Sequence, residues 1–250
     1  MNSYVAEFIG TMLLVLFGNG VVANVVLSRT KGNNSGWIVI TAGWGLAVFI
    51  GAFCAAPFSG AHLNPAVTVA MAISGKLESS KIAGYIVSQM FGAILGGVLV
   101  FLFYREHFKA SDDADGKLAC FCTAPNIRSI PQAFFCELVG TFCLILPIFL
   151  MTDVKFNWPV GTEQSDVTLG LGTLGLIPVA MLVFAIGLSL GGTTGYAINP
   201  ARDLGPRIAH ALLPVPRKRD SDWAYAWVPV VAPLVAAALA AGAQGLLRSP

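Results

Sequence analysis

Two copies of the tripeptide Asn-Pro-Ala, at Asn64-Pro65-Ala66 and Asn199-Pro200-Ala201, constrain this chain more than any other feature. Each copy follows a long apolar stretch and opens a short one. Asn is a favoured helix N-cap and Pro is favoured at the first helical position, so each copy marks a helix start. Bounded by Gly75 and by Pro214, those helices are too short to cross a bilayer. Two half-helices in corresponding positions of the two halves of a membrane protein point to a site at the midplane, where the halves meet. The tripeptide arises by chance roughly once in several thousand residues, so a single copy is weak evidence and a matched pair is strong.

Composition agrees with a bilayer setting. The 250 residues are 56% apolar and 11% charged, with a mean hydropathy of +0.73, far from the quarter of charged residues usual in soluble domains. Six stretches are long and apolar enough to cross: about 4–27, 37–57, 82–104, 131–151, 170–190 and 223–247. They account for nearly the whole chain as a single domain, 1–250, with polar connections at 105–130 and 152–169 that read as soluble links. The run from Tyr4 to Leu27 is too long for a signal-peptide core and lacks a basic leader, so it reads as a retained first span. A net charge of +2 gives no nucleic-acid signature, and Arg217-Lys218-Arg219 reads as a solvated loop rather than a lipid-head-group site. Cys120 and Cys122 flank Phe121 without the second pair that a zinc site needs, and no metal or cofactor is expected.

The chain also repeats outside the tripeptides, because Ala6-Glu7-Phe8-Ile9-Gly10-Thr11 matches Cys136-Glu137-Leu138-Val139-Gly140-Thr141. The offset is 130 residues there and 135 at the tripeptides. Repeat 1 runs over about 1–104 and repeat 2 over about 131–250. Three spans per repeat is an odd number, so the second repeat enters the membrane from the opposite side and the half-helices meet tip to tip. Irregular backbone at that depth requires surrounding protein or a water-filled cavity, which implies a lined channel. The half-helix N-termini place partial positive charge at the midplane, and the Asn64 and Asn199 amides are expected to donate into the lumen. Counting Lys and Arg by loop favours an N-terminus on the outside.

On Ser59-Gly60-Ala61-His62-Leu63-Asn64-Pro65-Ala66-Val67-Thr68 and Thr194-Gly195-Tyr196-Ala197-Ile198-Asn199-Pro200-Ala201-Arg202-Asp203, the chain resembles the major intrinsic protein family, and within it the glycerol facilitators of bacteria. Asp203 after Arg202 is the glycerol-facilitator mark. The resemblance implies an all-α membrane protein of six spans and two re-entrant half-helices, assembled as a homotetramer in the cell membrane with cytoplasmic termini. It implies a passive channel, not an enzyme, for glycerol and other small neutral solutes with some water, excluding ions and protons. Position by position it implies a constriction of Trp44, Gly187, Tyr196 and Arg202. There the rings face a polyol's carbon side, Arg202 bonds its hydroxyls and repels cations, and Gly187 leaves room and presents backbone. The family commonly has Phe where this chain has Tyr196, which leaves the solute range open: lactic acid, dihydroxyacetone or mainly water are the alternatives.

The remaining candidates support that site. Glu7 and Glu137 are carboxyls inside spans and so functional candidates, but their matched positions favour accepting hydrogen bonds from the two re-entrant loops, and Gln in either place is expected to be tolerated. His62 either lines the pore or supports its loop. Gln89 is expected to satisfy a buried loop, and Gly92, Gly96 and Gly97 to let helices pack closely. A coupled secondary transporter also uses inverted repeats with broken helices, but it needs an ion site, and no intramembrane Asp, Lys or unpaired charge supplies one.

Overall fold

The computed structural model describes residues 1–152, 154–160 and 163–248. The expected connection 152–169 and the end of the expected second repeat thus each include residues outside the described ones. The spans are α1 (Ser3–Val26), α2 (Trp37–Ser59), α4 (Ser79–Phe103), α7 (Ile130–Leu150), a 3-10 turn (Gly172–Leu176) continued by α8 (Ile177–Leu190), and α10 (Trp223–Ala226) continued by α11 (Val228–Arg248). The half-helices are α3 (Pro65–Ile73) and α9 (Pro200–Leu212). All six expected spans are present, each displaced by a few residues at most. At 1.5 Å per residue α3 and α9 reach roughly half-way through a hydrocarbon core of about 30 Å.

Local chemistry sets these boundaries. Asn2 caps α1 by accepting from the Tyr4 amide at 2.9 Å, and Gly60, left-handed at φ 79°, ends α2. Gly75 follows the last turn of α3 at φ 69°. At the end of α9 the Lys218 ammonium donates to the carbonyls of His210, Ala211 and Leu213 at 2.5, 2.9 and 2.7 Å. A cation on orphan carbonyls also suits the helix dipole. The basic cluster stays at the exposed surface, as expected of a solvated loop, and is paired there, Arg217 with Asp112 and Arg219 with Asp115.

The half-helices are exchanged between repeats. The second-repeat half-helix α9 packs chiefly on α4 of the first, and α3 packs chiefly on α11 of the second. Gly92 and Gly96 bring α4 against α1, where a Cβ on Gly96 would lie 2.8 Å from the Met12 carbonyl, and Gly97 meets Pro206 of α9. The small residues of α4 thus seat both its own repeat and the foreign half-helix.

Two connections differ from expectation. The 105–130 segment folds as α5 (Arg105–Ala110), α6 (Ala114–Ala119) and a return that is buried, with Phe108, Leu118, Cys120, Phe121 and Cys122 inside. Its apolar residues are too many to leave in water, and Asn19 of α1 holds the return through the Phe121 carbonyl at 2.9 Å. Burial pushes the Cys120 and Cys122 thiols well above their ordinary range, which leaves them unreactive. In the 152–169 connection, β1 (Val154–Val160) and β2 (Glu163–Leu169) pair antiparallel, Val154 opposite Leu169 and Val160 opposite Glu163.

Candidate functional site

The half-helix tips are built alike. Asn64 and Asn199 are extended at φ −158° and −157°, and their Oδ1 atoms accept from the Ala66 amide at 2.9 Å and the Ala201 amide at 3.0 Å. Their Nδ2 groups cross between repeats: Asn64 donates to the Ile198 carbonyl and Asn199 to the Leu63 carbonyl, both at 2.8 Å. The expectation that these amides donate into the lumen is corrected to that extent, since one hydrogen of each ties the opposite loop and one remains for a solute.

Preceding each tip, the loop carries alternate residues in the left-handed region: Ala61 and Leu63 at φ 52° and 50°, Tyr196 and Ile198 at φ 39° and 43°. Such conformations cost on the order of 1–3 kcal/mol each for non-glycine residues and persist only where the surroundings impose them. Glu7 and Glu137 impose them. Glu7 accepts from the His62 and Leu63 amides at 2.9 and 2.7 Å and from the Ser59 hydroxyl at 2.6 Å. Glu137 accepts from the Ala197 and Ile198 amides at 3.0 and 2.8 Å and from the Thr194 hydroxyl at 2.7 Å. Both carboxylates are fully buried, and neither touches the lumen. Gln89 joins Glu7 to Thr68, donating to them at 2.8 and 2.9 Å.

Two cavities meet inside the molecule. One, of about 150 Å³, runs past both Asn tips and is walled by apolar residues of α1, α2, α3, α7 and α8 together with the two loops. The other, of about 640 Å³, is a wider vestibule beneath the 105–130 return, with Asp115, Asn126 and Arg219 in its wall. Trp44, Tyr196 and Arg202 are the three residues common to both walls, so the two cavities adjoin between them. The Arg202 guanidinium carbon sits 3.9 Å from the centre of the Trp44 ring, a cation–π contact. Trp44 Nε1, Tyr196 Oη and Arg202 Nη1 are all buried and have no partner among the described residues. A buried donor left unpaired costs about 1–3 kcal/mol.

Gly187 does not line either cavity. A Cβ there would lie 2.8 Å from Thr41 Cγ2 and 2.9 Å from both Cζ and Oη of Tyr196, and its carbonyl accepts from Trp37 Nε1 at 2.9 Å. The space expected to be left for solute is occupied by the Tyr196 ring, and the backbone expected to face solute is already bonded. His62 does both of the things expected of it: it lines the narrow cavity and supports its loop, its Nδ1 3.2 Å from Thr68 Oγ1 and its ring against Tyr85.

Asp203 stands behind the constriction. Its Oδ2 accepts from the Thr123 amide and hydroxyl at 2.7 and 2.6 Å, and its Oδ1 pairs with Arg207 Nε and Nη2 at 2.9 and 2.8 Å, all fully buried. Arg207 reaches on to the carbonyls of Thr123, Ser221 and Asp222. Asp203 thereby anchors the vestibule roof to α9. Sequence reasoning gave no supporting role to Ser59, Thr194, Arg207 or Trp37. Ser59 and Thr194 are separated by the same 135-residue offset as the tripeptides, and Arg207 lies four residues after Asp203 at ion-pair spacing on a helix, so three of the four carry a readable signal. Trp37 carries none.

Comparison with known proteins agrees with this geometry. Residues 1–243 match the family described as Major intrinsic protein. The chain is 51% identical over 241 residues to the probable glycerol uptake facilitator protein of Thermotoga maritima, covering 96% of this chain and 97% of that one. It is 49% identical over 240 residues to the glycerol uptake facilitator protein of Streptococcus pneumoniae, with 96% and 97% covered. It is 40% identical over 247 residues to the D/L-lactic acid transporter of Lactiplantibacillus plantarum, with 96% and 95% covered. Among solved structures, the aquaglyceroporin from Plasmodium falciparum superposes with a TM-score of 0.82 at 30% identity, over 98% of this chain and 96% of that one. A duplicated half-helix pore of this geometry, matched in sequence along almost its full length, places the chain in the major intrinsic protein family.

Proposed function

We propose that this protein is a passive channel for glycerol and other small uncharged solutes, with some water, that excludes ions and protons and catalyses no reaction. The observation that carries the reading is the constriction: three buried, unpartnered polar groups on Trp44, Tyr196 and Arg202 surround the join between two cavities. A polyol has hydroxyls for those groups and a carbon edge for the two rings. A bare cation meets the Arg202 charge and, beyond it, the positive ends of α3 and α9; this form of exclusion is the one the general aquaporin case illustrates. The names of the Thermotoga maritima and Streptococcus pneumoniae relatives support glycerol as the solute.

Coupling to an ion gradient has no support in the lumen. Among the described residues, Arg202 is the one charged side chain that lines the narrow cavity, and Glu7 and Glu137 are saturated behind the loops. A second reading, a facilitator for undissociated lactic acid, is favoured by the donors at the constriction and by the name of the Lactiplantibacillus plantarum relative. The protein acts as a homotetramer in the cell membrane with both termini cytoplasmic. On that orientation, five of the cations on the outer side, Lys109, Arg128, Arg207, Arg217 and Arg219, are paired with carboxylates, and Lys117 and Lys218 are held by carbonyls.

Stopped-flow light scattering of proteoliposomes given gradients of glycerol, urea, lactic acid at low pH or an impermeant osmolyte tests the reading. Glycerol flux is expected to exceed that of empty vesicles, to rise linearly with gradient and to ignore imposed proton or sodium gradients. Accumulation of glycerol against its gradient when an ion gradient is imposed would overturn it.

A further inference from the structure

We propose that Trp37, at the first turn of α2, is a positioning residue for the constriction: it holds the Tyr196 ring and so sets the largest solute that passes. The inference rests on the channel reading above. The Tyr196 side chain needs a hold of its own, because Glu137 fixes the loop through the neighbouring Ala197 and Ile198 amides, while the Tyr196 amide has a long bond, 3.3 Å, to the Thr194 hydroxyl. Its own hydroxyl has no partner among the described residues, so none of them fixes the tip of the ring by a polar contact. Packing must do so.

Three surfaces supply that packing. Gly187 and Gly191 of the α8 end lie beneath the ring, so close that a Cβ on Gly187 would fall 2.9 Å from Tyr196 Cζ and one on Gly191 would collide with Tyr196 Cδ1. Trp37 closes the remaining side edge-on, with ring centroids 5.9 Å apart and planes at 78°, the T-shaped arrangement that aromatic pairs favour. The indole is itself fixed, because Nε1 donates to the Gly187 carbonyl at 2.9 Å across the interface between α2 and α8. One side chain therefore touches both the ring that narrows the passage and the backbone on which that ring rests. Trp37 is also 40% exposed and forms part of the wide vestibule wall, so it is not simply a core residue.

Removing the indole leaves Tyr196 free to swing towards the vestibule and widens the passage, whereas Trp37→Phe keeps a ring edge and loses the bond to Gly187. The measurement is the erythritol-to-glycerol permeability ratio in proteoliposomes, with water permeability and inserted protein determined in the same vesicles. Trp37→Ala is expected to raise the ratio by about threefold or more, within the range over which contacting residues couple, and Trp37→Phe by less. In a Tyr196→Ala background, Trp37→Ala is expected to add nothing. An unchanged ratio in both Trp37 variants, or an equal further rise in the Tyr196→Ala background, would overturn the proposal. If Trp37→Ala does not insert, Trp37→Phe alone and in the Tyr196→Ala background decides by the same criteria. Should the unaltered channel pass no glycerol, the glycerol reading fails by itself, and the Trp37–Tyr196 coupling is judged on the urea-to-water ratio instead.

Discussion

The two halves of the pore share one skeleton and differ in what they hang on it. At the 135-residue offset, Trp44 corresponds to Val179, Gly187 to Ala52, Tyr196 to Ala61 and Arg202 to Val67, and all four counterparts line the narrow cavity. The supports behind them share one pattern: a carboxylate on two loop amides and one hydroxyl, a capping Asn crossing to the opposite loop, and a pair of left-handed residues. The path through the membrane is thus a property of the duplicated backbone. The two ends differ in chemistry: at one, aromatic rings and a guanidinium stand in place of two valines and an alanine. Asp203 and its counterpart Thr68 show the same divergence, the first pinning the vestibule roof and the second bonding Gln89 and His62 inside its own repeat.

The largest effects should come from breaking the shared skeleton. Glu7→Ala and Glu137→Ala each leave two buried loop amides unpaired, at about 1–3 kcal/mol per group. Both variants are expected to lose flux together with thermal stability in detergent. Because Gln89 adds a fourth bond at Glu7, the first-repeat variant should lose more. Glu→Gln is not the benign change that sequence reasoning expects, since both carboxylate oxygens accept from amides and an NH2 in place of either would face a donor. Intermediate stability is expected for the Gln variants; loss of flux at unaltered stability would point to proton handling instead.

Arg202→Val makes the filter end resemble its counterpart and is the next largest change. It removes the fixed positive charge at the opening, so discrimination against small cations should loosen about ten- to a hundredfold, roughly 1.4–2.7 kcal/mol, with the protein still inserted. Sodium leak and proton leak into proteoliposomes measure it. Unchanged leaks would assign exclusion to the two half-helix N-termini, the part of the pore that both repeats supply.

How much of this could be read from the chain follows the same division. The skeleton was legible because it is written twice: the tripeptides, Glu7 with Glu137, and six apolar runs each repeat or exceed any chance expectation. Trp44, Tyr196 and Arg202 were placed by resemblance, and the structure brings them together around one opening. What could not be read depends on contacts between residues far apart in sequence. Nothing near Asn64 announces that its amide bonds Ile198, and nothing near Trp37 announces Gly187, 150 residues on. The 105–130 segment was misread because charges on its outer side, which pair with Arg217 and Arg219, mask the apolar residues it turns inward.

Gly187→Ala tests the wall behind the filter rather than its face. The added Cβ would press on Thr41 and on the end of the Tyr196 ring, and overpacking of that kind costs about 1–3 kcal/mol unless something moves. Tyr196 has an opening on its lumen side, so it is the group that moves. Glycerol permeability should fall by more than water permeability, and the ratio of the two in one vesicle preparation should drop roughly five- to fiftyfold. Its counterpart Ala52 already carries a Cβ, and Ala52→Gly should leave the ratio unchanged. If Gly187→Ala also leaves it unchanged, Tyr196 does not set the width.

Tyr196→Phe is the finest adjustment, because it removes one oxygen and nothing else. That oxygen lies against Gly187, is shielded from solvent and has no partner among the described residues, so its loss should leave the melting temperature in detergent unchanged or slightly raised. In transport the hydroxyl is one of three polar groups around the opening, and water, which has no carbon edge to rest on the rings, depends on such groups more than glycerol does. A neutral hydrogen bond contributes about 0.5–1.5 kcal/mol, so the glycerol-to-water permeability ratio should rise by about two- to tenfold. If stability rises and the ratio does not move, the hydroxyl is wall filler facing Gly187, and the polar side of the constriction reduces to Trp44 and Arg202. If the ratio falls instead, the hydroxyl bonds glycerol in transit, and the asymmetry between the two pore ends is sharper than the exchange of rings for valines alone would make it.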